Sequence, residues 1–397
     1  MLNFFYLYAA IWSAVIFLYQ LGWSDLCHPL SPELIVFFVI TIGSSFFAGK
    51  VFEKYFEFRK PAEISNVNDA MTCIIVCFTI IELVYGRQIP VLAILTKKAG
   101  YTETFSGIPT FHVLLTTFGR FYAQYLIYLF VSFPRRKKYI IEYIIVVFCV
   151  DIIWFSRMGL ILSLFMSSCI AIASLKERIR LKHMLMFIAA GIVGLYLFGV
   201  SGNLRQWYAA GDNSMIRLYG SMNNRYPAWL PEQFIWAYSY MIAPLANLNI
   251  NIAQSTANGS LEGFLSVFVP DFIARRLFSG RVQSNLISAS TTMTVIAGVG
   301  DAYGYGGIIG MYIMHMYMMS GQVAILRCIS SKKKFLVPMM AIMCAVVSFT
   351  VYVNTLWYSA ISFPLFYPLV ASLPNKRIRI RRGEKCIVRG AYSAYEK

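Results

Sequence analysis

Charged residues are scarce in this chain of 397 residues. Only 13% are Asp, Glu, Lys or Arg, whereas soluble domains carry about 25%. Hydrophobic residues make up 58% of the chain and aromatic residues 16%. This composition excludes an ordinary soluble domain, because too few polar side chains remain to cover its surface. It predicts an all-α polytopic membrane protein, whose helices satisfy their own backbone groups inside the bilayer.

The chain also lacks the short motifs of several enzyme classes. It contains no HExxH zinc helix, no GxSxG nucleophile turn, no Walker phosphate loop and no CxxC pair. The outer segments defined below contain no DxD-like acidic pair that could hold a divalent metal on a nucleotide sugar. A membrane enzyme with this sequence is therefore expected to use no metal and no other cofactor. Arginine side chains would supply the positive charge.

Long apolar runs are abundant. A helix needs about 20 apolar residues to cross the hydrocarbon layer. Ten runs meet this requirement approximately, and we predict about ten transmembrane helices at residues 2–21, 33–49, 70–86, 110–133, 139–155, 157–175, 183–200, 304–326, 335–352 and 355–373.

Lysine and arginine are concentrated in alternate connecting segments. Four segments, at 50–60, 135–138, 176–182 and 327–334, each contain four basic residues. Because basic connections stay in the cytoplasm, these segments and both termini are predicted to be cytoplasmic. The net charge of +17 is interpreted as this topology signal. It indicates membrane lipids as partners and no nucleic acid.

The predicted domain organisation follows from these segments. Residues 1–200 contain seven helices, 201–303 form one large extracytoplasmic loop, 304–373 contain three helices, and 374–397 form a basic cytoplasmic tail. Two stretches of the loop, 233–250 and 261–278, are apolar. A single crossing at 233–250 would move the last basic segments outside, so we predict short re-entrant or interfacial helices there.

The large loop contains six arginines and no lysine. Guanidinium groups bind pyrophosphate or carboxylate oxygens in pairs, which favours an anionic ligand. The alternative is that individual arginines pair with acidic residues or lipid phosphates, and Arg281 is the one set aside on that ground. The candidate substrate-binding residues are Arg205, Arg217, Arg225, Arg275, Arg276, Arg120, Trp207 and Tyr303.

Two charged residues lie deep in predicted helices. Arg120 is near the middle of the fourth span and Glu82 is in the third. An ion pair between them would offset the cost of charge in the membrane. Alternatively, Arg120 forms the floor of an outward-facing cavity. Asp151 could serve the same cavity or extend toward the surface.

Two segments resemble a known family. SRMGLILSLF (156–165) is similar to the Ser-Arg-x-Gly stretch that opens a central span in bacterial O-antigen and oligosaccharide repeat-unit polymerases. TTMTVIAGVGDAYGYGGIIG (291–310) resembles the threonine-rich run and the Asp/Tyr/Gly segment that follow the large periplasmic loop of these enzymes. The span count and the outer arginines also match that layout.

The resemblance implies a GT-C-like, metal-independent glycosyltransferase in the bacterial inner membrane. Such an enzyme transfers a growing glycan from undecaprenyl pyrophosphate to a hydroxyl of a lipid-linked repeat unit, at the periplasmic face. A chain-length regulator would be a further partner. Arg157 matches the family's outer-face arginine and Asp301 its late-span acid. The candidate catalytic residues are Arg157, Asp271, Asp301 and His112, the last three as possible bases.

Two other functions fit the layout. An O-antigen ligase has a similar arrangement and joins finished glycan to the lipid A core. A flippase or transporter of lipid-linked oligosaccharide usually shows internal repeats and charges at the midplane of several spans. Here polar residues are concentrated in one outer loop instead.

Overall fold

The computed structural model describes residues 3–55, 70–96, 107–174, 181–210, 215–278, 284–329 and 335–372. Within these residues the protein is all-helical and contains no β-strand. The helices are α1 Phe4–Gln20, α2 Pro32–Tyr55, α3 Ala70–Gly86, α4 Pro90–Leu95, α5 Phe111–Ser132, α6 Lys138–Val147, α7 Arg157–Ser174, α8 Leu181–Ala210, α9 Met215–Tyr219, α10 Gln233–Ala253, α11 Leu261–Ser266, α12 Asp271–Leu277, α13 Gly300–Ile329, α14 Leu336–Ser348, α15 Ser359–Ser362 and α16 Phe366–Ser372.

Several of these helices are apolar enough for a bilayer. By length and composition, three could cross a membrane, namely Pro32–Glu53, Arg157–Ser174 and Gly300–Cys328. Shorter apolar helical stretches lie at Phe4–Gln20, Ala70–Gly86, Ile188–Leu204, Leu336–Val351 and Ala360–Val370. The predicted helical membrane character is therefore supported, while the number of ten spans stays a prediction.

The outward faces of the bundle are apolar. Val39 and Phe47 on α2 are 68% and 66% exposed, and Val84 on α3 is 71% exposed. Contiguous apolar surface of this kind is unfavourable in water but suits hydrocarbon. These faces agree with a bundle surrounded by lipid.

The centre of the bundle is α14. Every residue from Val337 to Ser348 is buried, and the helix packs against α1, α5, α7 and α13. Its sequence, LVPMMAIMCAVVS, is apolar on all sides, as expected for a helix with no solvent-facing surface.

Between Phe349 and Tyr358 the chain forms a 3₁₀ turn and then irregular structure, close to the boundary predicted between the last two spans at 352–355. Helical structure then runs through α15, a 3₁₀ turn at Phe363–Leu365 and α16. The turn contains Pro364, which lacks the amide hydrogen of a regular helix. The apolar helical stretch Ala360–Val370 lies within the predicted span at 355–373, and its crossing of a membrane stays a prediction. We call residues 349–358 the helix break.

The predicted outer loop is largely helical. Its first ten residues extend α8 to Ala210, and α10 is a long, mostly buried helix that packs on α8 and α1. The apolar stretch at 261–278 forms two short helices rather than one, separated at Pro270. Helix α13 is kinked at Gly307, whose φ of 61° suits glycine, so its first two turns form a separate outer piece.

Candidate functional site

The two segments that carry the family resemblance meet at the helix break. Phe165 of the first segment contacts Phe349, with ring centroids 6.0 Å apart. In the second segment, the amide of Gly298 donates to the carbonyl of Thr350 at 2.7 Å. A Cβ at Gly298 would lie 2.8 Å from the carbonyl oxygen of Val353, so a side chain there would displace this contact. The break is thus the shared border of two segments far apart in sequence.

A cavity of about 280 Å³ adjoins the break on the side of the second segment. It combines one carboxylate with aromatic rings and polar groups. We call it the acid cavity, and its lining residues are Ser266, Val267, Val269, Asp301, Tyr305, Val353, Asn354, Trp357 and Tyr358. Asp301 lies in the first turn of α13, before the kink, where a carboxylate also suits the positive end of the helix.

Arg157 lies on the other side of the break, at the start of α7. Its guanidinium carbon is 5.2 Å from the ring centre of Phe198 and 5.4 Å from that of Trp236. Trp236 in turn contacts Tyr240 at 6.1 Å between ring centroids, and Tyr240 stacks on Tyr352, the residue before Val353 of the acid cavity. Cation–π contacts of this kind fix the orientation of the charged group. We call Phe198 and Trp236 the aromatic pair.

A smaller cavity of about 50 Å³ lies beside Tyr352. Tyr240 stacks on Tyr352, with ring centroids 5.6 Å apart. The threonine-rich run forms the opposite wall through Thr292, Met293, Thr294 and Val295. Both cavities therefore border the helix break, one at Tyr352 and the other at Val353.

The Ser-Arg-x-Gly motif has structural roles that its sequence does not reveal. The hydroxyl of Ser156 accepts from the amide of Gly159 at 3.2 Å, which caps α7. A Cβ on Gly159 would lie 2.2 Å from Arg120 Nη2 and 2.2 Å from Asp151 Oδ1. Glycine is therefore required for α7 to approach a buried ion pair. Phe155, just before the motif, has a φ of 52°, a strained value for a bulky residue.

That ion pair joins Arg120 to Asp151, which are 5% and 0% exposed. Arg120 Nε donates to Asp151 Oδ1 at 2.9 Å, and Ser163 Oγ donates to Asp151 Oδ2 at 2.5 Å. Arg120 Nη1 also donates to the carbonyl of Ala360 at 3.2 Å. Asp151 lies in a π-helical turn, Phe148–Ile152, a local distortion that often marks functional sites.

The predicted pair of Arg120 with Glu82 is wrong. Glu82 Oε1 instead accepts from His112 Nδ1 at 2.9 Å. The reason is the position along α5 at which α3 meets it: the contact with Glu82 occurs at the N-terminal end of α5, about two turns from Arg120. Arg120 is held by Asp151 in the bundle and does not line either cavity.

His112 was predicted as a possible base. Its side chain is one-third exposed, and its ring meets the edge of Trp154 at 4.9 Å between centroids. Glu82 orients the ring as a carboxylate orients many functional histidines. His112 does not line the acid cavity or the smaller cavity.

Four outer arginines are not brought to the cavities. Arg217 forms a half-exposed ion pair with Glu232 and lies over the ring of Tyr226. Burial raises the pKa of Tyr226 to about 12, and the nearby Arg217 opposes that shift. Arg225, Arg275 and Arg276 have exposed side chains. Among the described residues, no arginine lines either cavity.

The remaining candidates divide into two groups. Tyr303 is buried and donates to the carbonyl of Asn251 at 3.0 Å, so it fastens α13 to α10 and does not line a cavity. Arg205 and Trp207 belong to α8, and Asp271 is the first residue of α12. The side chains of these three candidates lie outside the described residues, as does the whole of Arg281.

Asparagines on α10 hold the second segment in place. Asn247 donates to the carbonyls of Met293 and Val295 at 2.7 and 2.8 Å, and its own oxygen accepts from Ala289. Asn251 exchanges two hydrogen bonds with Ile287, at 2.7 and 2.9 Å. The side-chain amides thus bond the backbone N–H and C=O groups of residues 287–295, as a neighbouring strand would. This role explains why an apolar helix contains buried asparagines.

Replacement of Asn251 by leucine should detach this segment. It removes both partly buried bonds to Ile287, each worth about 0.5–1.5 kcal/mol. We expect faster proteolysis near residues 284–299 and a lower unfolding temperature, measured on purified protein. Leucine at the exposed Asn224 serves as the matched control. Unchanged proteolysis in Asn251→Leu would contradict this role of α10.

Sequence reasoning missed the residues of the helix break, Tyr352, Asn354, Trp357 and Tyr358. The available signal was a polar residue, Asn354, between two apolar runs.

A search of protein families, curated proteins and solved structures found no match to the chain.

Proposed function

We propose that the chain is an O-antigen-type polymerase, a glycosyltransferase that joins glycan units carried on undecaprenyl pyrophosphate at the outer face of the inner membrane. One observation supports this proposal above others. The two segments that resemble such enzymes both contact the same helix break: Asp301 lines the acid cavity with Val353, and Arg157 is linked to Tyr352 through the rings of Trp236 and Tyr240.

The proposed reaction uses one cation and one carboxylate. A hydroxyl oxygen of the acceptor sugar attacks the anomeric carbon of the donor glycan, and the bond from that carbon to the pyrophosphate oxygen breaks. The proton of the hydroxyl passes to Asp301. Negative charge grows on the departing pyrophosphate, and Arg157 stabilises it most in the transition state.

Arg157 suits pyrophosphate for two reasons. Its planar guanidinium offers paired donors that match phosphate oxygens and keeps its charge in an apolar environment. The aromatic pair holds its orientation, so little rotational freedom is lost on binding. In this scheme arginine supplies the positive charge that a metal supplies in other glycosyltransferases.

The acid cavity suits the acceptor sugar. Its volume of about 280 Å³ is near the lower end of small-molecule sites, which range over about 300–1,000 Å³. Tyr305, Trp357 and Tyr358 provide flat apolar faces with polar edges, and such faces stack on sugar rings. Asp301 lies among them, where a base must lie to accept the hydroxyl proton.

Substitution of Asp301 by asparagine tests the proposal. The amide keeps the shape of the side chain but cannot accept the proton, so polymer formation should fall by about 100- to 10,000-fold. The measurement is a cell-free assay of the purified protein with lipid-linked repeat units. Glu262→Gln, an exposed acid on α11 that does not line the cavity, should retain activity. Full activity of Asp301→Asn would remove Asp301 from the reaction.

Gene deletion distinguishes the polymerase from the alternatives. Loss of a polymerase leaves single repeat units on the lipid A core, whereas loss of a ligase leaves no repeat unit there. Loss of a flippase leaves lipid-linked repeat units on the cytoplasmic side. A core without any repeat unit would contradict the proposal.

A further inference from the structure

The guanidinium of Arg120 joins three separate parts of the chain. Its Nε donates to Asp151 Oδ1 at 2.9 Å. Its Nη1 donates to the carbonyl of Ala360 at 3.2 Å, and its Nη2 donates to Ser156 Oγ at 3.5 Å, the longest of the three bonds. Because Asp151 already neutralises the buried charge, the bonds to Ser156 and Ala360 fix position beyond what charge balance requires.

One of these partners precedes Arg157. The hydroxyl of Ser156 also accepts from the amide of Gly159, the bond that caps α7. A Cβ at Gly159 would lie 2.2 Å from Arg120 Nη2, so a glycine is needed for the first turn of α7 to lie against the guanidinium. Arg120 therefore holds the end of the helix that carries Arg157.

The other partner follows the acid cavity. Ala360 lies two residues after Tyr358, which lines that cavity. The carbonyl of Tyr358 accepts from the amides of Ile361 and Ser362 at 2.9 and 3.0 Å, so the cavity wall continues directly into the first turn of α15. A bond at Ala360 consequently fixes the end of the helix break, and with it one wall of the acid cavity.

We infer that Arg120 is a positioning residue: its guanidinium fixes the separation of Arg157 from the acid cavity by holding the start of α7 and the start of α15 together. The inference rests on the proposed function, in which Arg157 and Asp301 serve one reaction. Arg120 lines neither cavity, so it acts only through the segments that it joins. At 5% exposure its donors meet little competition from water, which keeps the geometry fixed.

The double variant Arg120→Met/Asp151→Leu separates positioning from stability. It removes both buried charges together, so the fold keeps most of its stability, but no side chain then bonds Ser156 or Ala360. We expect an unfolding temperature close to that of the wild type. With lipid-linked repeat units, kcat should fall about 100-fold while KM stays unchanged, because a displacement of about 1 Å costs a reaction that much.

Hydrogen–deuterium exchange of the full-length protein in detergent measures the positioning without any substrate. In the double variant, the amides of residues 356–362 should exchange at least about tenfold faster, while those of α14 should not change. The matched control is Tyr143→Phe, which removes a bond of 2.8 Å between α6 and Ser167 of α7 but leaves the first turn of α7 intact. It should keep both the wild-type exchange at 356–362 and the wild-type kcat.

Wild-type kcat in the double variant would overturn the inference, as would unchanged exchange at residues 356–362. Arg120→Lys decides the same question if the double variant does not accumulate. Its ammonium keeps a charge opposite Asp151 but cannot bond in three directions at once, so wild-type kcat and exchange there would also overturn the inference. If the wild type itself forms no polymer, the proposed function fails, whereas the exchange experiment still reports whether Arg120 holds the helix break.

Discussion

Arg157→Ala should nearly abolish polymer formation, with a decrease in rate of about 100- to 1,000-fold. The reason is that Arg157, linked to the helix break through Trp236 and Tyr240, is the cation that the proposed reaction uses for the departing pyrophosphate. The two ring contacts that the change removes are worth only about 0.5–1 kcal/mol each, so the protein should still accumulate. The measurements are polymer length in cells and transfer rate with purified protein, at matched protein level.

Two further variants sharpen this prediction. Arg157→Lys should restore only part of the activity, since a point charge cannot replace a planar fork of donors. Arg87→Ala removes an exposed arginine at the outer end of α3 and should behave as wild type. Long polymer in Arg157→Ala cells would exclude Arg157 from the site, and full rescue by lysine would argue against paired phosphate binding.

Asp151→Asn should destabilise the protein by about 3–5 kcal/mol, the usual cost of removing one partner from a buried ion pair. Arg120 would keep its charge at 5% exposure inside the bundle, with no carboxylate to neutralise it. Ser163 would also lose the carboxylate that its hydroxyl bonds. We expect a large decrease in unfolding temperature in detergent, together with low accumulation in cells.

A second pair provides the comparison. Glu232→Ala breaks the half-exposed pair with Arg217, and exposed pairs contribute less than about 1 kcal/mol. The double variant Arg120→Met/Asp151→Leu should recover most of the stability, because two apolar side chains of similar size leave no buried charge. If Asp151→Asn and Glu232→Ala had equal effects, the buried pair would not stabilise the fold as inferred.

Helices could be located from the sequence because burial in lipid needs long apolar runs, and such runs are visible without any contacts. Predicted spans at 70–86, 110–133 and 157–175 differ from α3, α5 and α7 by at most one residue at each end. The final predicted span is less regular for a local reason. Hydropathy averages over a window, so it does not register the 3₁₀ turn at Phe363–Leu365, where Pro364 lacks an amide hydrogen.

Side-chain partners were harder to predict. Arg120 was expected beside Glu82, since their helices are consecutive long helices, but its partner is Asp151 on the helix after it. The choice depends on the relative height and rotation of α3, α5 and α6, and hydropathy does not encode either quantity. For the same reason, the sequence did not indicate that two asparagines of α10 bind the backbone of residues 287–295.

The sequence alone determined that this protein is helical, apolar and asymmetric in charge, and it singled out Arg157 and Asp301, because composition and short motifs are local properties. Only the tertiary structure decided that Asp301 lines a cavity at the helix break and that Trp236 and Tyr240 link Arg157 to the same break, while Arg217 and Arg120 are engaged elsewhere in ion pairs. Proximity across 144 residues depends on how helices pack, and packing is a property of the whole chain.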